Sequence, residues 1–118
     1  MLFRSHDAVA TAIDALEQGL GPIDILINNA GLQHRQALQD VSADDWHRVM
    51  STNLDGVFNV SKAVARHMIG RRHGKIINIG SVQSELARSS IAPYAASTRR
   101  QCACCLPSST ASARWPCG

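Results

Sequence analysis

The chain has 118 residues, 45% hydrophobic and 18% charged, with a net charge of +3, which suits one small globular domain with a modest core and excludes a disordered chain. Residues 1–97 balance nine Lys/Arg against nine Asp/Glu, so the excess sits in Arg99, Arg100 and Arg114, too few and too scattered for a nucleic-acid footprint. No apolar run approaches the roughly 20 residues of a membrane helix, and "MLFRSHD" turns polar too soon for a secretory signal, so a cytoplasmic chain with no membrane or nucleic-acid partner is expected.

Val9, Ile13, Leu16 and Leu20 recur at helical spacing, with Ser5 placed to cap and Gly19-Leu20-Gly21-Pro22 placed to stop the helix. "IDILIN" (23–28) is too short for a helix and reads as a strand buried on both faces. "NAGLQHRQALQDVS" reads as a polar loop. Ser42 can cap the next helix, and Asp44 and Asp45 fall in its first turn, where the helix dipole favours acids. Trp46, Val49, Met50, Val57, Val60, Val64 and Met68 form one apolar stripe. The pattern predicts one continuous helix over 43–69, stopped at Gly70, with Arg66, Arg71 and Arg72 at its negative end. "KIINIG" (75–80) is a second buried strand. Strand, long helix and strand make a right-handed βαβ unit with parallel strands.

Asn53 interrupts the stripe between Met50 and Val57. A buried amide needs partners or costs about 1–3 kcal/mol. It is either a satisfied structural amide or a group facing a wet site beyond the strand ends. In open parallel sheets ligands bind beyond the carboxyl ends of the strands. "NNAG" (28–31) follows the first strand, and its small residues let a flat ligand approach the backbone. Ser81 follows the second strand, and Tyr94 comes 13 residues later at the start of a helix. A serine hydroxyl beside a phenol can polarise a carbonyl and deliver a proton to it. Phenols titrate near 10, so such a group needs a nearby cation to work at neutral pH.

"DILINNAG", "STNLDGVFNVSKAV", "GKIINIGS" and "YAAS", in this order and spacing, resemble the short-chain dehydrogenase/reductase family over roughly residues 6–97. The resemblance implies an α/β fold: part of a Rossmann-type doubly wound parallel sheet, a βαβ core with flanking helices. Within the family, "NNAGLQHRQAL" and "IINIGSVQSELARSSIAPYAAS" resemble the branch that interconverts gluconate and 5-ketogluconate; a 3-oxoacyl-carrier-protein reductase type is the alternative. NADP or NAD is the implied cofactor, a small sugar acid the implied substrate, and a homo-oligomer through the long helix the implied assembly. The implied catalytic residues are Asn53, which distorts its helix and holds a relay water, Ser81, which binds the substrate oxygen, and Tyr94, the acid or base. Asn28, Asn29, Ala30 and Gly31 would line the cofactor, as would Tyr94. Arg35 and Arg88 flank the expected pocket mouth, where an arginine could grip a carboxylate bidentately or simply be solvated. His34 could meet sugar hydroxyls or water, and Glu85 could orient either arginine.

Two departures stand out. The family carries a lysine four residues after the tyrosine, which lowers the phenol's pKa and holds the nicotinamide ribose; Thr98 stands there. The family's glycine-rich pyrophosphate turn is also missing, so residues 1–97 read as an incomplete dehydrogenase domain of impaired activity, or as a remnant that only folds partly or associates with other chains. Residues 98–118 read as an anomalous, disordered tail. Codons TGC GCA TGC TGC for Cys102–Cys105, after a G, would read Val-Arg-Met-Leu one base earlier, so a shifted frame near residue 98 is expected. Cys102, Cys104, Cys105 and Cys117 lack the paired spacing of a zinc site, and no metal is expected.

Overall fold

The computed structural model describes residues 5–81 and 89–101. Ser5 opens α1 (His6–Gly19), its hydroxyl accepting from the Ala8 N–H at 3.4 Å. Val9 and Ile13 are buried, whereas Leu16 and Leu20 stand exposed, so only the first two turns of the expected stripe face the core. The strands are β1 (Ile25–Asn28) and β2 (Lys75–Asn78), shorter than expected but parallel and adjacent. Ile25 pairs with Lys75, and each following residue stays in step to Asn28 with Asn78.

The expected single helix over 43–69 is three segments. Ser42 caps α2 (Ala43–Met50), accepting from the Asp45 N–H at 3.0 Å. A π-helical turn, Ser51–Asp55, follows, and α3 (Gly56–Arg71) continues from it. The wider turn falls on Asn53, the residue that broke the apolar stripe. π-Turns inside helices recur at functional sites. Gly70 does not stop the helix; α3 runs one residue further and leaves through Arg72 in the left-handed region, φ 58°. The Arg71 guanidinium explains the extension, because it donates to Glu17 Oε2 at 2.6 Å and to the Ile23 carbonyl at 2.8 Å. The last helix, α4 (Ala92–Gln101), packs against α2 and the π-turn.

The core joins Val9 and Ile13 of α1 to Ala63, Val64 and Met68 of α3, with Ile23, Leu26, Val60 and Ile76 packed against them. Alternation along a strand sends Leu26 and Ile76 to this side and their neighbours to the other. Ile25, Ile27, Ile77 and Ile79 are 41–58% exposed. The expectation of strands buried on both faces is therefore wrong for the described residues, since their helices cover one face only. Trp46, expected in the core, is half-buried. Among the described residues no helix is long and apolar enough to cross a membrane. The tail beyond Gln101, with its four cysteines, lies outside the described residues, as do Glu85 and Arg88.

A polar clasp closes the core. Glu17 accepts from the Ile23 N–H at 2.9 Å as well as from Arg71, and His67 lies 2.7 Å from Asp14 and 4.0 Å from Glu17. The Ile23 N–H foremost, then Arg71 and His67, hold the Glu17 carboxyl below its ordinary value near 4.5. A carboxyl with a depressed folded pKa stabilises fully above its unfolded value and loses that contribution as pH falls through the folded one. Urea midpoints of the parent chain and Glu17→Gln should therefore differ most at neutral pH and converge below about 4.5. A gap that persists unchanged into acid would show that ionised Glu17 does not hold the clasp.

Candidate active site

The strands stop level because their ends are pinned. Asn28 Nδ2 donates to Asn78 Oδ1 at 2.8 Å and to Ser61 Oγ of α3 at 2.9 Å. Half-buried amides are held here by one another and by the helix behind them, as buried polar groups must be. The Asn28 side chain is thereby turned into the sheet, while Asn29, Ala30 and Gly31 beyond it are exposed. Ser81 lies half-buried three residues past β2. Parallel strands in register bring the two loops out on the same edge. A flat ligand could cross there without meeting a large side chain at Ala30 or Gly31.

Asn53 is 1% exposed and joins three elements. Its Oδ1 accepts from the Leu32 N–H at 2.7 Å, and its Nδ2 donates to the Leu32 carbonyl at 2.9 Å and to Ser97 Oγ at 2.9 Å. The amide thus reads both backbone groups of Leu32, directly after the exposed Gly31. It lies close enough that a Cβ on Gly31 would sit 3.5 Å from Oδ1, an ordinary contact. The satisfied-amide alternative describes this side chain well, and the same bonds connect the β1 loop to α4.

Tyr94 lies half-buried in the first turn of α4. Its carbonyl accepts from Ser97 Oγ at 2.8 Å and from Thr98 Oγ1 at 3.1 Å. Thr98 is 3% exposed and also donates to the Ala95 carbonyl at 3.2 Å, so its hydroxyl is spent on its own helix. The turn entering α4 is tied to the β1 loop a second time, where the Gln36 N–H donates to the Ser90 carbonyl at 2.9 Å. Ser90 adopts φ 67°, the left-handed region.

The loop's polar residues face α2. His34 Nε2 lies 2.8 Å from Gln36 Oε1 and 3.8 Å from Asp45 Oδ2. Asp45 also accepts from the Ser42 hydroxyl at 2.7 Å and pairs with Arg48 at 3.1 Å. The Ser42 bond foremost, then His34 and Arg48, hold its carboxyl below the usual carboxylate range. Arg35 is exposed, donating to Gln33 Oε1 at 3.4 Å. A groove of about 460 Å³ between Asp44, His47, Arg48, Met50, Ser51 and Asp55 includes none of the expected site residues. Among the described residues no cluster of His, Cys, Asp or Glu could hold a metal.

Sequence reading missed Ser61, Asn78 and Ser97 as members of these networks. "ILIN" and "KIIN" both end in asparagine at the point where a strand must stop, and that repetition was the available signal for the first two.

The fold is a parallel α/β unit with its exposed loops beyond the strand ends, the general form of a nucleotide-binding sheet. The short chain dehydrogenase family model matches residues 1–99, and the chain belongs to that family. It is 60% identical over 91 residues to gluconate 5-dehydrogenase of Gluconobacter oxydans, an alignment covering 77% of this chain and 36% of that protein. A crystal structure of a gluconate 5-dehydrogenase from Burkholderia cenocepacia, in complex with NADP and tartrate, superimposes with a TM-score of 0.81 at 61% identity. That match covers 84% of this chain and 39% of the other. An NAD+-bound xylitol dehydrogenase gives 0.82 at 36% identity, over 86% and 40%. The chain therefore spans little more than a third of the length of these relatives.

Removing the Asn53 amide strands two Leu32 backbone groups and leaves the Ser97 hydroxyl only its bond to the Tyr94 carbonyl. Asn53→Ala should lower unfolding stability by about 1–3 kcal/mol, read from urea denaturation. A variant as stable as the parent would show that the amide does not hold these elements together.

Proposed function

We propose that this chain carries the reacting end of a short-chain dehydrogenase that moves a hydride between NADP or NAD and a sugar acid of the gluconate and 5-ketogluconate type. The observation that supports this reading most is the Asn53 clasp, which ties the loop after β1 to the first turn of the helix bearing Tyr94. The identity to gluconate 5-dehydrogenases supports the substrate class. The exposed Asn29-Ala30-Gly31 stretch fits the flat face of a dinucleotide, and a bound nicotinamide would supply the hydride. In this reading Ser81 donates a hydrogen bond to the substrate oxygen. Tyr94 passes its phenolic proton to that oxygen in reduction and takes it back in oxidation. Asn53 holds the helix turn from which the relay starts. Arg35 offers a guanidinium to the substrate carboxylate, and Arg88 is the second candidate for that role. Phe58 and Ile69, exposed on one side of α3, supply an apolar surface for a second copy.

Thr98 limits the chemistry. A phenolate needs a cation beside it at neutral pH, and a threonine hydroxyl committed to two backbone carbonyls brings no charge. The chain as written is accordingly poor at hydride transfer, with the frame shift near residue 98 as the proposed origin of the change.

A chimera tests both parts. Residues 6–97 of this chain, followed by either Thr or Lys at position 98, replace the aligned segment of the Gluconobacter oxydans relative. The lysine form should reduce NADP with gluconate. The threonine form, and Tyr94→Phe in the lysine form, should each be slower by about 10²–10⁴-fold. Equal rates for lysine and threonine would remove the role assigned to position 98. An unimpaired Tyr94→Phe would show the site to be elsewhere.

A further inference from the structure

Ser97 is 0% exposed in the interior of α4. Serine there is a poor choice for a helix alone, because its hydroxyl competes for backbone groups. Here the hydroxyl has two partners of opposite sense. It accepts from Asn53 Nδ2 at 2.9 Å and donates to the Tyr94 carbonyl at 2.8 Å. The Asn53 amide in turn holds Leu32 on both backbone atoms. A continuous path of hydrogen bonds therefore runs from the loop after β1, through the π-turn, to the backbone of Tyr94. A small residue would suffice if α4 and the π-turn only needed to approach closely, and alanine would serve. A hydroxyl is the compact group that accepts from the amide and donates to the carbonyl together, which alanine cannot do.

We propose that Ser97 is a positioning residue, whose hydroxyl transmits the setting of Asn53 to the first turn of α4 and holds the Tyr94 phenol in one orientation relative to the β1 loop. The proposal rests on Tyr94 as the reacting phenol for its functional meaning, and on the hydrogen-bond path alone for its structural content.

Tyr94 is the single tyrosine of the chain, so tyrosine labelled with ¹³C at Cζ gives one NMR line that reports on it. In Ser97→Ala that line should shift or broaden, and amide exchange at Leu32 should quicken by about fivefold, the worth of one hydrogen bond. Ser97→Thr should restore both, since a helical threonine hydroxyl can reach the same i−3 carbonyl. Val64→Ala, in the α1–α3 core, should lower stability without moving the Tyr94 line. Should Ser97→Ala not fold, Asn53→Asp keeps the acceptor for the Leu32 N–H and removes the donor to Ser97 and to the Leu32 carbonyl, and it should shift the line in the same way. An unmoved line in the alanine or aspartate variant, a threonine variant that behaves like alanine, or an equal shift from Val64→Ala would overturn the proposal. An inactive lysine-98 chimera beside a positive NMR result would count against the functional reading and leave the positioning role standing.

Discussion

A single buried amide joins the loop beyond β1 to the last helix. Asn53 sits on an otherwise apolar helix stripe, where an unpaired amide would be costly. Its partners belong to a loop and to another helix, so satisfying it brings Leu32 and Ser97 to the same point. The five-residue π-turn at Ser51–Asp55 is centred on this residue. Chain geometry has been adjusted to the hydrogen bonds there, as the break in a regular helix shows. The result is that the loop beyond β1 and the first turn of α4 are joined through one amide and one hydroxyl.

The opposite side of the molecule is held by a different set of forces. Val9, Ile13, Val64 and Met68 make a small apolar core, and Glu17 locks its edge by binding Ile23 and Arg71 together. The contribution of such burial scales with area removed from water, and here the area is limited because the sheet carries three exposed isoleucines, with a fourth directly after β2. Polar clasps thus carry more of the structural definition than they would in a larger domain. Two of them, Glu17 with Arg71 and Asn28 with Ser61, fix α3 against the chain on either end of β1.

The elements with local causes were legible in the sequence. Ser5 and Ser42 announce helix starts because a cap bonds to an amide only three residues on, and both do so. The parallel pairing of the two strands followed from the long connection between them. Asn53 was legible as an anomaly, but its partners were not, since Leu32 and Ser97 lie 21 and 44 residues away. The π-turn was hidden from periodicity, which continues on either side of it; only the family resemblance implied a distorted helix at Asn53. The burial of both strand faces was misjudged because an apolar run states a preference, while the packing neighbours that would satisfy it lie elsewhere. The family was legible from four motifs in order, and the departure at Thr98 was visible only against that pattern.

The account turns on the edge beyond the strand ends being a place where a nicotinamide dinucleotide can lie. Titrating the isotope-labelled chain with NADP while following its backbone amides tests this directly. Shifts concentrated at Asn28, Asn29, Ala30 and Gly31 and in the first turn of α4, with α1 unmoved, are the predicted result. Shifts confined to the groove along α2, or none at millimolar NADP, would contradict it.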